Sequence, residues 1–120
     1  MVVTKMDDET IFIKKGDEKT RIERSGKVHR LMVKSDRIET IITELDPHAK
    51  SKWFQHTGEE LHLIIQGKLE YTVGEKSYRL NEGDILWHRS DARHRAKNIG
   101  SAKVKYITIG TPPTFMMSDL

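Results

Sequence analysis

The stretch "HTGEELHLIIQG", residues 56–67, sets two histidines and two glutamates just ahead of an apolar run and closes on a glycine. Imidazole nitrogens and carboxylate oxygens are donors for a divalent ion and equally groups that hydrogen-bond a small polar ligand. Which chemistry is open depends on the faces these residues occupy. Alternate residues of a strand point to opposite sides, so Glu60, His62 and Ile64 share one face while Leu61, Leu63 and Ile65 share the other. Both faces carry apolar groups, the pattern of a central strand covered on both sides. A second polar stretch, "GDILWHRSDARHRAKN" from Gly83 to Asn98, adds His88, His94 and three arginines. Cysteine is absent, which excludes thiol catalysis and a disulfide framework and leaves any metal to nitrogen and oxygen ligands.

The elements that must position these groups are short strands. Segments rich in β-branched and aromatic residues recur at close intervals: "TIFIKK", "KVHRLMV", "RIETIITEL", "ELHLII", "KLEYTV", "KSYRL", "DILWH" and "KVKYITIG". Turn signals separate them, among them "SG" at 25–26, "VGEK" at 73–76 and "NEGD" at 81–84, and no stretch has the periodicity of a stable helix. Gly58, Gly67, Gly74 and Gly83 read as turn formers with no phosphate-binding role. An antiparallel sandwich or barrel follows. A chain of 120 residues has room for one such domain. The expected organisation is an N-terminal arm with strands over 1–26, a barrel over 27–115 and a tail over 116–120.

Lysine and arginine exceed aspartate and glutamate by 21 to 18, a net charge of +3, with both signs interleaved along the chain. That is a solvated surface and not a nucleic-acid footprint, so direct nucleic-acid binding is not expected. "MVVTKMDDET" has no uninterrupted apolar segment and no later run reaches the length that crosses a bilayer. The expectation is a cytoplasmic protein without a membrane partner.

Two windows, His48 to Gly67 and Gly83 to Asn98, resemble the two sequence motifs of the cupin superfamily, small all-β jelly-roll barrels. His56 falls on the second histidine of the first motif, Glu60 on its glutamate and Gly67 on its closing glycine. Gly83, His94 and Asn98 match the second motif. Phe54 stands where the first histidine belongs, His48 at the opening glycine, and Arg89 and Asp91 at the proline and glycine of the second motif. The resemblance implies a jelly roll with three of four metal positions kept, His56, Glu60 and His94, a two-histidine, one-carboxylate set suited to iron, manganese, nickel or zinc. Over residues 27 to 115 the match is nearest to the cupin module at the C-terminal end of helix-turn-helix regulators, whose "GEE", "GD" and "TPPTF" recur in this order. The DNA-binding helices of those regulators have no counterpart before Lys27, which is expected to make this a stand-alone barrel.

Around the metal set, His62 is expected to line the cavity, first as a packing or hydrogen-bonding group of the core, and otherwise as a replacement ligand, a substrate contact or a candidate catalytic acid or base. Phe54, Trp87 and Tyr106, with Trp53, are expected in an apolar pocket wall. An inward arginine among Arg89, Arg93 and Arg95 would favour an anionic guest. His29, His48 and His88 have no spacing partner and read as structural. Apolar groups on the outer strand face and an N-terminal strand at "TIFIKK" imply homodimerisation. Two functions follow: a sensing barrel that binds a small molecule with a divalent metal, or a metal-dependent oxygenase or isomerase acting on a small carboxylate or sugar.

Overall fold

The computed structural model describes residues 10–113. The first nine residues and the 116–120 tail lie outside them. Among the described residues nine strands carry the fold: β1 Thr20–Arg24, β2 Lys27–Lys34, β3 Glu39–Leu45, β4 Glu59–Gln66, β5 Leu69–Val73, β6 Lys76–Leu80, β7 Ile85–Arg89, β8 His94–Asn98 and β9 Val104–Thr111. They form a six-stranded sheet in the order β1-β2-β3-β9-β4-β7 and a three-stranded sheet in the order β6-β5-β8. Every pairing is antiparallel, and the described residues contain no helix. The all-β jelly-roll reading holds.

Period-two patterning sets the interior. Along β3 the buried residues are Glu39, Ile41, Thr43 and Leu45, and along β9 Val104, Tyr106, Thr108 and Gly110. On β4 they are Glu60, His62 and Ile64. The inward face therefore grades from apolar to polar. Leu45, Ile64, Leu69, Val104, Tyr71, Ala96 and Tyr106 pack into one core, and Glu60, His62, His88 and His94 lie buried toward the other end.

The first strand is not where the sequence placed it. "TIFIKK" forms no strand; Phe12 is 79% exposed and a turn follows at Lys15 and Gly16. β1 is instead "TRIER", pinned to β2 by a two-residue turn whose Ser25 and Gly26 both have positive φ, 52° and 76°. That turn matches the twist of a hairpin, so register with β2 outweighs the stronger β-propensity of the earlier segment. The preceding arm is held to the sheet where Arg30 bridges Glu44 of β3 and Glu18, the latter at 2.9 Å.

Candidate metal centre

Glu60 sits near the start of β4, and its register partners are Gly110 of β9 and His88 of β7. Gly110 has no side chain to fill the space there, and the carboxylates of Glu60 and Glu39 flank it on either side. His56 comes from the segment that leads into β4, fixed by its backbone N–H donating to the Ser90 carbonyl at 2.9 Å. His94 opens β8 in the opposite sheet, and its backbone exchanges two hydrogen bonds with Phe54, at 2.9 and 2.8 Å. Only the closed barrel brings these segments together.

Around Glu60 Oε2 stand His94 Nε2 at 2.9 Å and His56 Nε2 at 3.3 Å, while the Ser90 hydroxyl donates to it at 2.8 Å. His94 Nε2 is buried and makes no hydrogen bond of good geometry. The remote nitrogens explain why. His56 Nδ1–H donates to the Thr57 carbonyl at 3.0 Å, and His94 Nδ1–H donates to the Ala92 carbonyl at 2.7 Å. A carbonyl can only accept, so in each neutral ring Nε2 is a lone pair aimed at a carboxylate. Lone pairs so converged call for a cation. Donor atoms about 2.0–2.2 Å from one ion stand roughly 3 Å apart, which is the spacing observed, and the outer-shell carbonyls are those that orient ligating histidines.

Electrostatics agree. Burial pushes the Glu60 carboxyl up, but contact with His56 and His94 and the charge of His62 outweigh it and hold the group well below the usual carboxylate range. His56 is raised, chiefly by its contact with Glu60.

A second group adjoins the first. His62 Nδ1 pairs with the Thr108 hydroxyl at 2.8 Å, and His62 Nε2 lies 2.9 Å from His88 Nε2 and 4.0 Å from Glu60 Oε1. His88 Nδ1–H donates to the Arg89 carbonyl at 2.8 Å. Two sets of donors within 4.8 Å of one another therefore share Glu60: His56 with His94, and His62 with His88. Burial drives the His62 imidazole down to about 3, and burial likewise lowers His88.

The inward assignment of Trp87 is corrected. Adjacent strand residues face opposite ways, and on β7 it is His88 that is buried while Trp87 is 54% exposed. The indole N–H donates to Glu59 Oε1 at 3.0 Å on the outer face. "DILWH" has apolar groups at both parities, so only the pairing of Glu60 with His88 fixes which side faces in. Ser90 and Glu39, both buried, were also missed, because neither stands at a motif position. Phe54 and Tyr106 line a cavity with His62 and Thr108. That space is only about 20 Å³, enough for one or two waters. None of the three arginines points inward: Arg89 pairs with Asp91 at 2.7 Å, and Arg93 and Arg95 lie over the Trp53 ring, 4.2 and 4.3 Å from its centre. His48 is exposed, and His29 is buried in β2 against the Thr43 hydroxyl at 3.0 Å.

The family model described as "Cupin domain" matches residues 41–110, which spans both motif windows and His56, Glu60, His62, His88 and His94. The chain belongs to the cupin family. A curated relative, an uncharacterized protein of Archaeoglobus fulgidus, is 34% identical over 58% of this chain and 66% of its own length. Another, from Methanocaldococcus jannaschii, is 26% identical over 48% of this chain and 46% of its own. The chain thus spans less than two thirds of either relative. Among solved structures, an RmlC-like cupin from Shewanella frigidimarina superposes with a TM-score of 0.75 at 13% identity over 88% of this chain and 94% of that one. KdgF from Halomonas sp. gives 0.73 at 19% identity over 86% and 94%. The cupin domain of an XRE family transcriptional regulator from Enterobacter cloacae gives 0.69 at 19% identity over 74% and 99%. These likenesses establish the fold, and they include regulator modules of the kind the motifs resemble. No helix among the described residues is long and apolar enough to cross a membrane.

Proposed function

We propose that this cupin binds one divalent ion through His56, Glu60 and His94 and presents it to a small ligand, as a sensing or binding module. The observation that carries the reading is the convergence of two Nε2 lone pairs, each fixed by a backbone carbonyl, on one buried carboxylate oxygen. When bound, the ion supplies a Lewis-acidic centre with coordination positions left over for an oxygen or nitrogen donor. Iron, manganese, nickel and zinc all suit this donor set.

Binding is favoured over catalysis by the surroundings. An efficient acid or base is matched to the working pH, whereas His62, driven down by burial, is a weak base held between Thr108 and His88. The interior cavity also limits the guest to a few heavy atoms unless it reaches the ion from the His56 side, the more exposed of the ligands. The runner-up, an oxygenase or isomerase on a small carboxylate or sugar, draws on the same ion and on His62 lying 4.0 Å from Glu60.

The protein further acts, on this reading, as a cytoplasmic homodimer. Leu61 and Leu63 of β4 lie between Trp87 and Ile85 of β7 and Ile109 and Ile107 of β9 on the outer face of the large sheet. Ile85 and Trp87 are 60% and 54% exposed, an apolar face suited to a second copy.

Thermal unfolding of untagged protein tests the metal reading. A divalent ion at excess raises the Tm of the wild type and leaves His94→Gln unmoved, and a small carboxylate raises it further only when the ion is present. A shift of equal size in both proteins contradicts it.

A further inference from the structure

The metal reading leaves one donor position of the cupin motif occupied by the phenyl ring of Phe54, and the next inference rests on that reading. We propose that His88 supplies the missing nitrogen, and that His62 is a positioning residue that holds it in reserve. His88 stands at no motif position, yet it is the direct cross-strand partner of Glu60 and its ring centre lies 4.6 Å from that of His94.

Its tautomer is the one a ligand needs. His88 Nδ1–H donates to the Arg89 carbonyl, the same arrangement that orients His56 and His94. A carbonyl cannot donate, so Nε2 of neutral His88 is a lone pair directed into the barrel. That lone pair faces His62 Nε2 at 2.9 Å, so His62 must carry its proton on Nε2 and accept from the Thr108 hydroxyl at Nδ1. The two rings are nearly coplanar, at 19°, with centres 5.1 Å apart, which is the end-to-end geometry of an N–H···N hydrogen bond. Loading exchanges one donor for another: as it stands His88 groups with Glu60 and His62 and not with His56 and His94, so its ring gives up the His62 N–H and shifts toward the ion.

His62 is the poorer ligand of the two. Its Nε2 carries hydrogen in this arrangement, and its ring is wedged 4.3 Å from that of Tyr71 and hydrogen-bonded at both nitrogens. His88 by contrast is hydrogen-bonded through Nδ1 to its own strand and through the one bond it would exchange.

Cu(II) titration with pulsed EPR on untagged protein decides the point, since the spectrum counts coordinated imidazoles without any assay of activity. The expected wild-type spectrum contains one nitrogen each from His56, His88 and His94. His88→Gln shows one fewer and binds more than about tenfold more weakly, the loss that even an outer-shell partner brings. His62→Gln keeps the wild-type nitrogen count, and His29→Gln, a buried histidine outside the cluster, changes nothing. A wild type that coordinates only His56 and His94, or a His88→Gln protein with unchanged affinity and count, overturns the proposal while sparing the metal reading. Loss in His62→Gln equal to that in His88→Gln overturns it in favour of His62. No Cu(II) uptake by the wild type overturns both.

Discussion

Glu60 is the residue on which the site turns, because it is buried and ionised at once. A carboxylate out of water is held ionised only by cations or strong donors; here the Ser90 hydroxyl donates to it, and His56 Nε2 and His94 Nε2 stand 3.3 and 2.9 Å away, where a bound ion would complete the set. Glu60→Gln keeps the shape and removes the charge, so it is expected to abolish metal uptake, read by equilibrium dialysis, while circular dichroism stays that of the wild type. Titration adds a second expectation at this scale, from a histidine away from the cluster. Burial, with the nearby charge of Lys27, lowers His29 from 6.5 to about 4. The unfolded chain therefore binds the proton first as pH falls, and the stability that neutral His29 contributes is present above about 6.5 and lost by about 4. The loss is on the order of 3 kcal/mol at most. Denaturant titrations of wild type and His29→Gln should converge across that window, and parallel curves would show that His29 does not carry the effect.

At the scale of the element, the approach to β4 is what aims His56 and Ser90. Gly58 has a φ of +100°, and a Cβ there would meet the Thr111 carbonyl oxygen at 2.2 Å and Pro112 Cδ at 2.6 Å. Its own carbonyl accepts from the Ser90 N–H at 2.8 Å. Gly58→Ala is expected to cost about 1–3 kcal/mol and to weaken metal binding with it; a fully stable variant with wild-type affinity would show that this turn does not set the site. Strands were legible in the sequence where one register-fixing feature accompanied the alternation. β4 was read correctly because Glu60, His62 and Ile64 alternate against Leu61 and Leu63. β7 was not, because Leu86 and Trp87 are both apolar and the deciding contact, Glu60 opposite His88, lies in another strand. "TIFIKK" misled for the complementary reason: its composition suits a strand, but the hairpin turn at Ser25 and Gly26 selects "TRIER" as the partner of β2.

For the whole molecule, two sheets enclose an interior that is apolar at Leu45, Leu69 and Val104 and polar at Glu60 and the histidines. The resemblance to the cupin motifs implied the fold and singled out His56, Glu60 and His94, which the closed barrel does bring together. The groups around them, the Ser90 hydroxyl on Glu60 and the Thr57 and Ala92 carbonyls on the two histidines, could not be read from the sequence, since no motif position marks them. The outer apolar face makes its own prediction. Light scattering should return about twice the monomer mass, and Trp87→Glu, on the exposed side of β7, should shift the protein toward monomer; a wild-type monomer at high concentration would remove the dimer from the account.

The most direct test of the metal centre is the metal content of untagged wild-type protein by mass spectrometry, after incubation with divalent ions and exhaustive desalting, beside His94→Gln prepared identically. The account predicts close to one ion per chain in the wild type and a small fraction of that in the variant. Metal-free wild type, or equal content in the two proteins, would contradict it and leave the cluster as a proton-bridged polar core.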